Sequence, residues 1–264
     1  MREPTIGGFE EALRLVAQIP QDEEGRQWVL GSIAAGDEKV RVLRYVARHA
    51  NGRARLLDIG AQIGAMAIYA ARLCCEAAAV DYGLFGSYAE LARKQGVDYR
   101  ECDLSSTGLP FPDAGFDFVT YMDVIEHHAF SPRTVLQEIH RVLATGGRLI
   151  VTTPNHASIY NRLLLLAGRT VNDPFDYYFN GTGMHPGHHR EYTRSELRLA
   201  LERTGFKIAE CRVEEEELYS LLASKVSAKQ LTVRLLGKLW SVLHLPFGRR
   251  LWAVGVKVTG TGTI

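Results

Sequence analysis

The stretch "RLLDIGAQIGAMAIYAARLC", residues 55–74, joins a short apolar run to an alanine-rich segment through a loop with glycines at 60 and 64. A strand that ends in an acid and turns at once into a helix is the building unit of a parallel α/β sheet. The unit recurs down the chain. "AAAVD" reads as a second strand, closed by Asp81 and followed by the helix "SYAELARKQG", which Gly96 stops. "VDYREC" is a third strand and "GFDFVTYMD" a fourth. "SPRTVLQEIHRVLATGG" reads as a helix with Ser131 as cap, Pro132 at its first position and Gly146 and Gly147 as its end. "RLIVTT" is a fifth strand. "TRSELRLALERTG" opens with a capping box, Thr193 with Glu196, and closes at Gly205 before the sixth strand, "FKIAECRV". "LWAVGVKVT" supplies a seventh. The expected fold is α/β: a doubly wound, mostly parallel seven-stranded sheet with helices on both faces.

Such sheets bind ligands at the carboxyl ends of their strands. Four acids fall there: Asp58, Asp81, Asp103 and Asp123. Asp81, about 20 residues past the glycine loop, is placed to accept from two ribose hydroxyls. Asp103 lies farther round the rim, where an adenine amino group can donate to it. The spacing Gly60-x-x-x-Gly64 departs from the Gly-x-Gly-x-x-Gly of a dinucleotide loop and suits a smaller ligand without phosphate.

In that order these fragments resemble the class I S-adenosylmethionine-dependent methyltransferases, a Rossmann-like fold, over residues 56–206. The branch they are most similar to is the small-molecule one, of the quinone-biosynthesis O-methyltransferase type. "LLDIGAQIG" resembles the first motif, "VDYG" the ribose-binding acid, "CDLSSTGLPFPDAGFDFVTYMDVIEHH" the stretch from the adenine contact through the fourth strand, and "VLATGGRLIVTTPN" the fifth-strand motif. The resemblance implies S-adenosyl-L-methionine as cofactor. It implies that Gly60, Ala61 and Gly64 approach its methionine part, with Asp58 supporting the loop. It implies that Asp81 takes the ribose hydroxyls, with Tyr82 beside the adenine. Asp103 and Leu104 then contact the adenine, and Asp123 and Val124 sit next to the sulfonium. The departure is Gln62, where the family usually has glycine; a side chain there is strained if the position needs a positive φ.

Methyl transfer is an in-line displacement, in which the protein aligns the acceptor and removes its proton. Six of the nine histidines follow the fourth and fifth strands: His127, His128, His156, His185, His188 and His189. His128 and His189 are the candidate bases. "HPGHH" with Glu191 matches no strong metal signature, and no resident metal is expected. The expected reaction is O-methylation of a small molecule, glycolipid or saccharide. The alternatives are N- or C-methylation, or cofactor binding without turnover.

Residues 1–50 form a helical cap and residues 51–264 the catalytic domain. Two insertions interrupt it: a lid at 155–192 and a basic segment at 214–250 before the last strand. The lid carries "IYNRLLLLAGR" and the aromatics of "DPFDYYFNGTG", read either as a hydrophobic mini-core or as a cover over the acceptor. From Leu218 onward there are seven Lys/Arg and no Asp/Glu, while the rest of the chain carries 24 basic and 30 acidic groups. Residues 231–250 form a basic amphipathic stretch. It suits peripheral contact with a membrane, or packing on the protein's own sheet or a second subunit. No nucleic-acid module is present. The oligomeric state is left open. The four cysteines lack disulfide spacing, and no leader or membrane span is evident, so a cytoplasmic protein is expected, with membrane association as the extension.

Overall fold

The computed structural model describes residues 2–19, 29, 36–82, 86–181, 187–214 and 248–259. Among the described residues two helices are bounded first, α1 (Ile6–Val16) and α2 (Gly36–His49). The α/β units follow: β1 (Arg55–Ile59), α3 (Ala65–Arg72), β2 (Glu76–Asp81), α4 (Gly86–Lys94), β3 (Asp98–Glu101) and β4 (Phe116–Met122). A single 3-10 turn, Ile125–His127, leads to α5 (Arg133–Val142) and β5 (Leu143–Pro154). Two short helices, α6 (Ile159–Leu166) and α7 (Phe175–Phe179), precede α8 (Arg194–Arg203), β6 (Phe206–Glu214) and β7 (Arg250–Lys257).

The strands form one sheet in the order β3-β2-β1-β4-β5-β7-β6. The first five pair in parallel, whereas β7 runs antiparallel to both β5 and β6. The order reverses between β1 and β4, which puts the crevice at the ends of those two strands. Because strand side chains alternate, neighbouring residues feed opposite faces. Leu56 and Phe118 join α1 to α4 on one face, while Leu57 and Val119 join α5 and α8 on the other. Helix α2 is fastened to the sheet by its polar groups as well. Arg41 donates to the buried Glu214 at 2.9 Å, and Tyr45 meets Trp252 edge-on and accepts from Arg148.

Three sequence expectations shift. Helix α5 ends at Val142, four residues before Gly146, because Leu143 already pairs with Phe116 and its carbonyl accepts from Lys257 Nζ at 2.8 Å. Gly146, at φ 79°, makes a turn inside the long β5 instead of ending the helix. The mini-core expected in the 155–192 insertion is not formed by its described helices. Neither α6 nor α7 buries a side chain, and Leu166, Phe175 and Phe179 are largely exposed. The capping box at Thr193 is present as read, with both of its hydrogen bonds. The basic segment 214–250 lies, apart from its ends, outside the described residues. Among the described residues no helix is long and apolar enough to cross a membrane.

Ile139 on α5 is fully buried among Val135, Val142 and the second sheet face. Ile139→Ala should cost about 2–5 kcal/mol, read as a lowered midpoint in urea unfolding with an unchanged slope.

Candidate active site

The loop after β1 is shaped by backbone conformation. Gly60, Gln62 and Gly64 have φ of 74°, 50° and 70°, three left-handed residues among five. Gly60 and Ala61 donate their N–H groups to Val80 O at 3.0 and 3.1 Å, which draws the loop over the end of β2. At Gly60 there is also no space: a Cβ would land 2.3 Å from Val124 Cγ2. The loop and the turn after β4 are thus in direct contact through Val124. Gln62 occupies a position that does call for positive φ. Its N–H donates to Asp81 Oδ2 at 2.6 Å, and its carbonyl accepts from Tyr99 Oη at 2.7 Å. These bonds hold a non-glycine residue in a region it visits at a cost.

The acids at the strand ends differ in environment. Asp58 is buried and accepts from Thr120 Oγ1 at 2.7 Å, across the β1–β4 pairing. Burial pushes its carboxyl up to about 6, against the Thr120 bond. Asp81 is also raised by burial, against the N–H groups of Gln62 and Tyr82. The Tyr82 side chain is exposed and its N–H donates to Asp81 Oδ1 at 2.7 Å. Asp103 is partly exposed to solvent. Ser105 Oγ, Ser105 N–H and Ser106 Oγ hold its carboxyl below the usual range. Leu104, half-buried, lines a separate groove of about 310 Å3 with Leu109 and Val135.

Asp123 is at the centre of the rim. Its φ is 51°, its N–H donates to Thr152 O at 3.0 Å, and Arg250 Nη1 from β7 bonds its Oδ2. The same Arg250 nitrogen lies 2.7 Å from Glu38 Oε2 on α2. Asp123 Oδ1 and Glu38 Oε1 are buried with no hydrogen-bond partner among the described residues. Burial first, and Asp123 second, push the Glu38 carboxyl up to about 7, against Arg250. Burial pulls the Lys39 ammonium down, while Asp58, Glu38 and Asp123 favour its charge. Glu38, Lys39 and Arg250 escape a motif reading. The first two look like ordinary residues of a helix's opening turn, and Arg250 lies 127 positions from its partner.

The two candidate bases are in different surroundings. His128 Nε2 is bonded to the hydroxyl of the buried Tyr121, and its ring packs on Phe130 at 4.5 Å. Burial, with the neighbouring His127 and His189, brings its pKa down to about 4. His189 is exposed, and its N–H donates to Glu126 O at 2.8 Å. It lines a cleft of about 250 Å3 with His156, Asp173, His188 and Glu191. His185 lies outside the described residues.

Residues 34–210 match the family model described as the methyltransferase domain. The chain belongs to the class I S-adenosylmethionine-dependent methyltransferases. It is 35% identical over 117 residues to a probable S-adenosylmethionine-dependent methyltransferase of Mycolicibacterium smegmatis, covering 44% of this chain and 38% of that protein. It is 38% identical over 68 residues to the probable tRNA methyltransferase 9B of Mus musculus, covering 25% of this chain and 15% of that protein. The chain therefore spans well under two thirds of these relatives. A Thermotoga maritima structure described as a possible histamine N-methyltransferase superposes at a TM-score of 0.56 with 18% identity, covering 93% of this chain and 99% of that one. This likeness is one of fold.

The methyltransferase's rim fits the family's cofactor. S-adenosylmethionine is a sulfonium cation with an ammonium group and two ribose hydroxyls, all of which seek acceptors or negative charge. The rim supplies Asp81, which keeps lone pairs beyond its two N–H bonds, and the unpartnered buried oxygens of Asp123 and Glu38. A pyrophosphate would meet repulsion from the same carboxylates.

Two measurements test this account. Replacing Gln62 with glycine relieves the left-handed strain and should stabilise the protein by about 1 kcal/mol, seen as a raised melting temperature. For Asp58, whose carboxyl is raised on folding, the contribution to stability is complete below about pH 4 and is lost as pH rises through about 6. Asp58→Asn removes this loss. The stability difference, variant minus wild type, should grow by about 2–3 kcal/mol between pH 4 and 7 in urea titrations.

Proposed function

We propose that this methyltransferase O-methylates an amphiphilic small molecule, a glycolipid or a saccharide, within the quinone-biosynthesis-like branch its motifs resemble. The observation that carries this reading is the cleft of about 250 Å3 lined by His156, His188, His189 and Glu191, within the 155–192 insertion, whose apolar side chains on α6 and α7 face solvent. Imidazoles and a carboxylate suit a hydroxyl that must be oriented and deprotonated. Leu163, Leu166, Phe175, Tyr178 and Phe179 are exposed by half or more, which suits a ring or an acyl chain.

The bound cofactor supplies an electrophilic methyl group on a sulfonium. The chain's own residues do the rest. Asp81 and the Gly60–Gly64 loop would hold the cofactor. Asp123, paired with Arg250, would offer carboxylate oxygen to a bound sulfonium. Of the two candidate bases, His189 takes the acceptor's proton, because it is accessible in the cleft. His128, bonded to Tyr121 and with its pKa brought down to about 4 by burial, braces the turn after β4.

His189→Ala should lower kcat by a factor of about 100 or more while leaving affinity for S-adenosylhomocysteine within twofold. An unchanged kcat excludes this role. Acceptor class is tested by supplying methyl-labelled S-adenosylmethionine with separate lipid, small-molecule and tRNA fractions of a cell extract. Label on oxygen in the lipid or small-molecule fraction supports the reading. Label in tRNA, on nitrogen or carbon, or nowhere despite cofactor binding, overturns it.

A further inference from the structure

Glu126 is at the centre of an arrangement that methyl transfer does not account for. It is fully buried. Its Oε2 accepts from Thr153 Oγ1 at 2.9 Å, yet its Oε1 has no hydrogen-bond partner among the described residues. Leaving a carboxylate oxygen buried and unsatisfied is costly. His127 and His188 stand beside it, and one ligand atom from each of the three residues lies within 4.8 Å of those of the other two.

The histidine tautomers point the same way. His127 Nδ1 is 3.2 Å from the carbonyl oxygen of Gly187, where only an N–H can bond, so its ring lone pair is on Nε2. His188 Nδ1 is 3.2 Å from Glu191 Oε1 and is oriented in the same manner. A metal-binding histidine characteristically donates its other ring N–H to a carbonyl or a carboxylate. The rings meet edge-on, 4.9 Å apart. The two contributing segments are locked together: His189 and Arg190 donate their N–H groups to Glu126 O, and His188 N–H donates to Asp173 Oδ2 at 3.0 Å.

We propose that Glu126, His127 and His188 form a binding site for a divalent metal ion of the zinc class. Two imidazoles and one carboxylate favour such borderline ions over magnesium or calcium, which prefer oxygen ligands. Metal–ligand bonds of about 2.0–2.2 Å require the donor atoms to close to roughly 3–3.5 Å of one another. The two exposed imidazoles can make that movement without disturbing the core. Neither segment shows a metal spacing in sequence, because the ligands come from the turn after β4 and from the loop before α8. Three protein ligands leave coordination positions open, and His188 borders the cleft. An acceptor hydroxyl bound there would lose its proton more readily. That consequence rests on the O-methylation reading; the site itself does not.

The test uses the untagged full chain, stripped of metal by chelation and titrated calorimetrically with zinc chloride and separately with magnesium chloride. The expected result is one zinc per chain at micromolar affinity or tighter and no magnesium binding at that concentration. Cobalt(II) should give the visible absorption of a low-coordinate nitrogen–oxygen site. His188→Ala and Glu126→Gln should each weaken zinc at least tenfold, and His49→Ala, at a histidine stacked on Tyr45, should leave it unchanged. Thermal melts establish that the variants are folded. If Glu126→Gln is not, His127→Ala joins the exposed His188→Ala in deciding. Absence of stoichiometric zinc, or equal affinity in wild type and His188→Ala, overturns the site. Because the readout is metal binding without turnover, its failure is separate from any failure of the methyl-transfer reading.

Discussion

Arg250 joins three parts of the molecule at one point. Its guanidinium, on the first residue of β7, contacts Asp123 at the end of β4 and Glu38 at the start of α2. Without it, two carboxylates would be left close together in a poorly solvated place, and stranding buried charge in this way typically costs about 3–5 kcal/mol. The bridge therefore does more than pair charges. It fixes where the N-terminal helices cover the sheet and where the turn carrying Val124, Glu126 and the histidines begins. The contact of Val124 with Gly60 passes that placement on to the cofactor loop.

The acidity of this rim is a compromise between folding and binding. Asp58, Glu38 and Glu126 are all pushed up by burial, to about 6, 7 and 8. A fold optimised for stability alone would not collect these groups at one edge. A fold that must receive a cation gains from them, since the ligand brings the positive charge that offsets them. The same logic separates this edge from phosphate-binding relatives of the sheet, whose helix N-termini are left open to anions.

The parts legible in sequence are those governed by local rules. Asp58, Asp81 and Asp123 could be placed because each lies at or just past the carboxyl end of a strand, and the Thr193 capping box because its two members are three residues apart. The helix ends at Gly96 and Gly205 followed from the same punctuation. What could not be read depends on tertiary pairing. Helix α5 stops early because Leu143 is claimed by the neighbouring strand. Arg250 and Glu38 acquire meaning only when β7 and α2 meet. The exposure of Leu166 and Phe179 runs against the usual fate of such side chains, and no local pattern announces it.

The position of β7 has one more consequence. It enters the sheet between β5 and β6, the last strand in sequence taking an interior place. During synthesis the glycine loop, the acids and the histidine turn all emerge before Arg250 does. A chain that has not yet delivered β7 holds Asp123 and Glu38 without their shared counter-ion and leaves the inner edges of β5 and β6 unpaired. Closure of the sheet and completion of the site are thus a single late event, so a half-made chain has little means of capturing its cofactor.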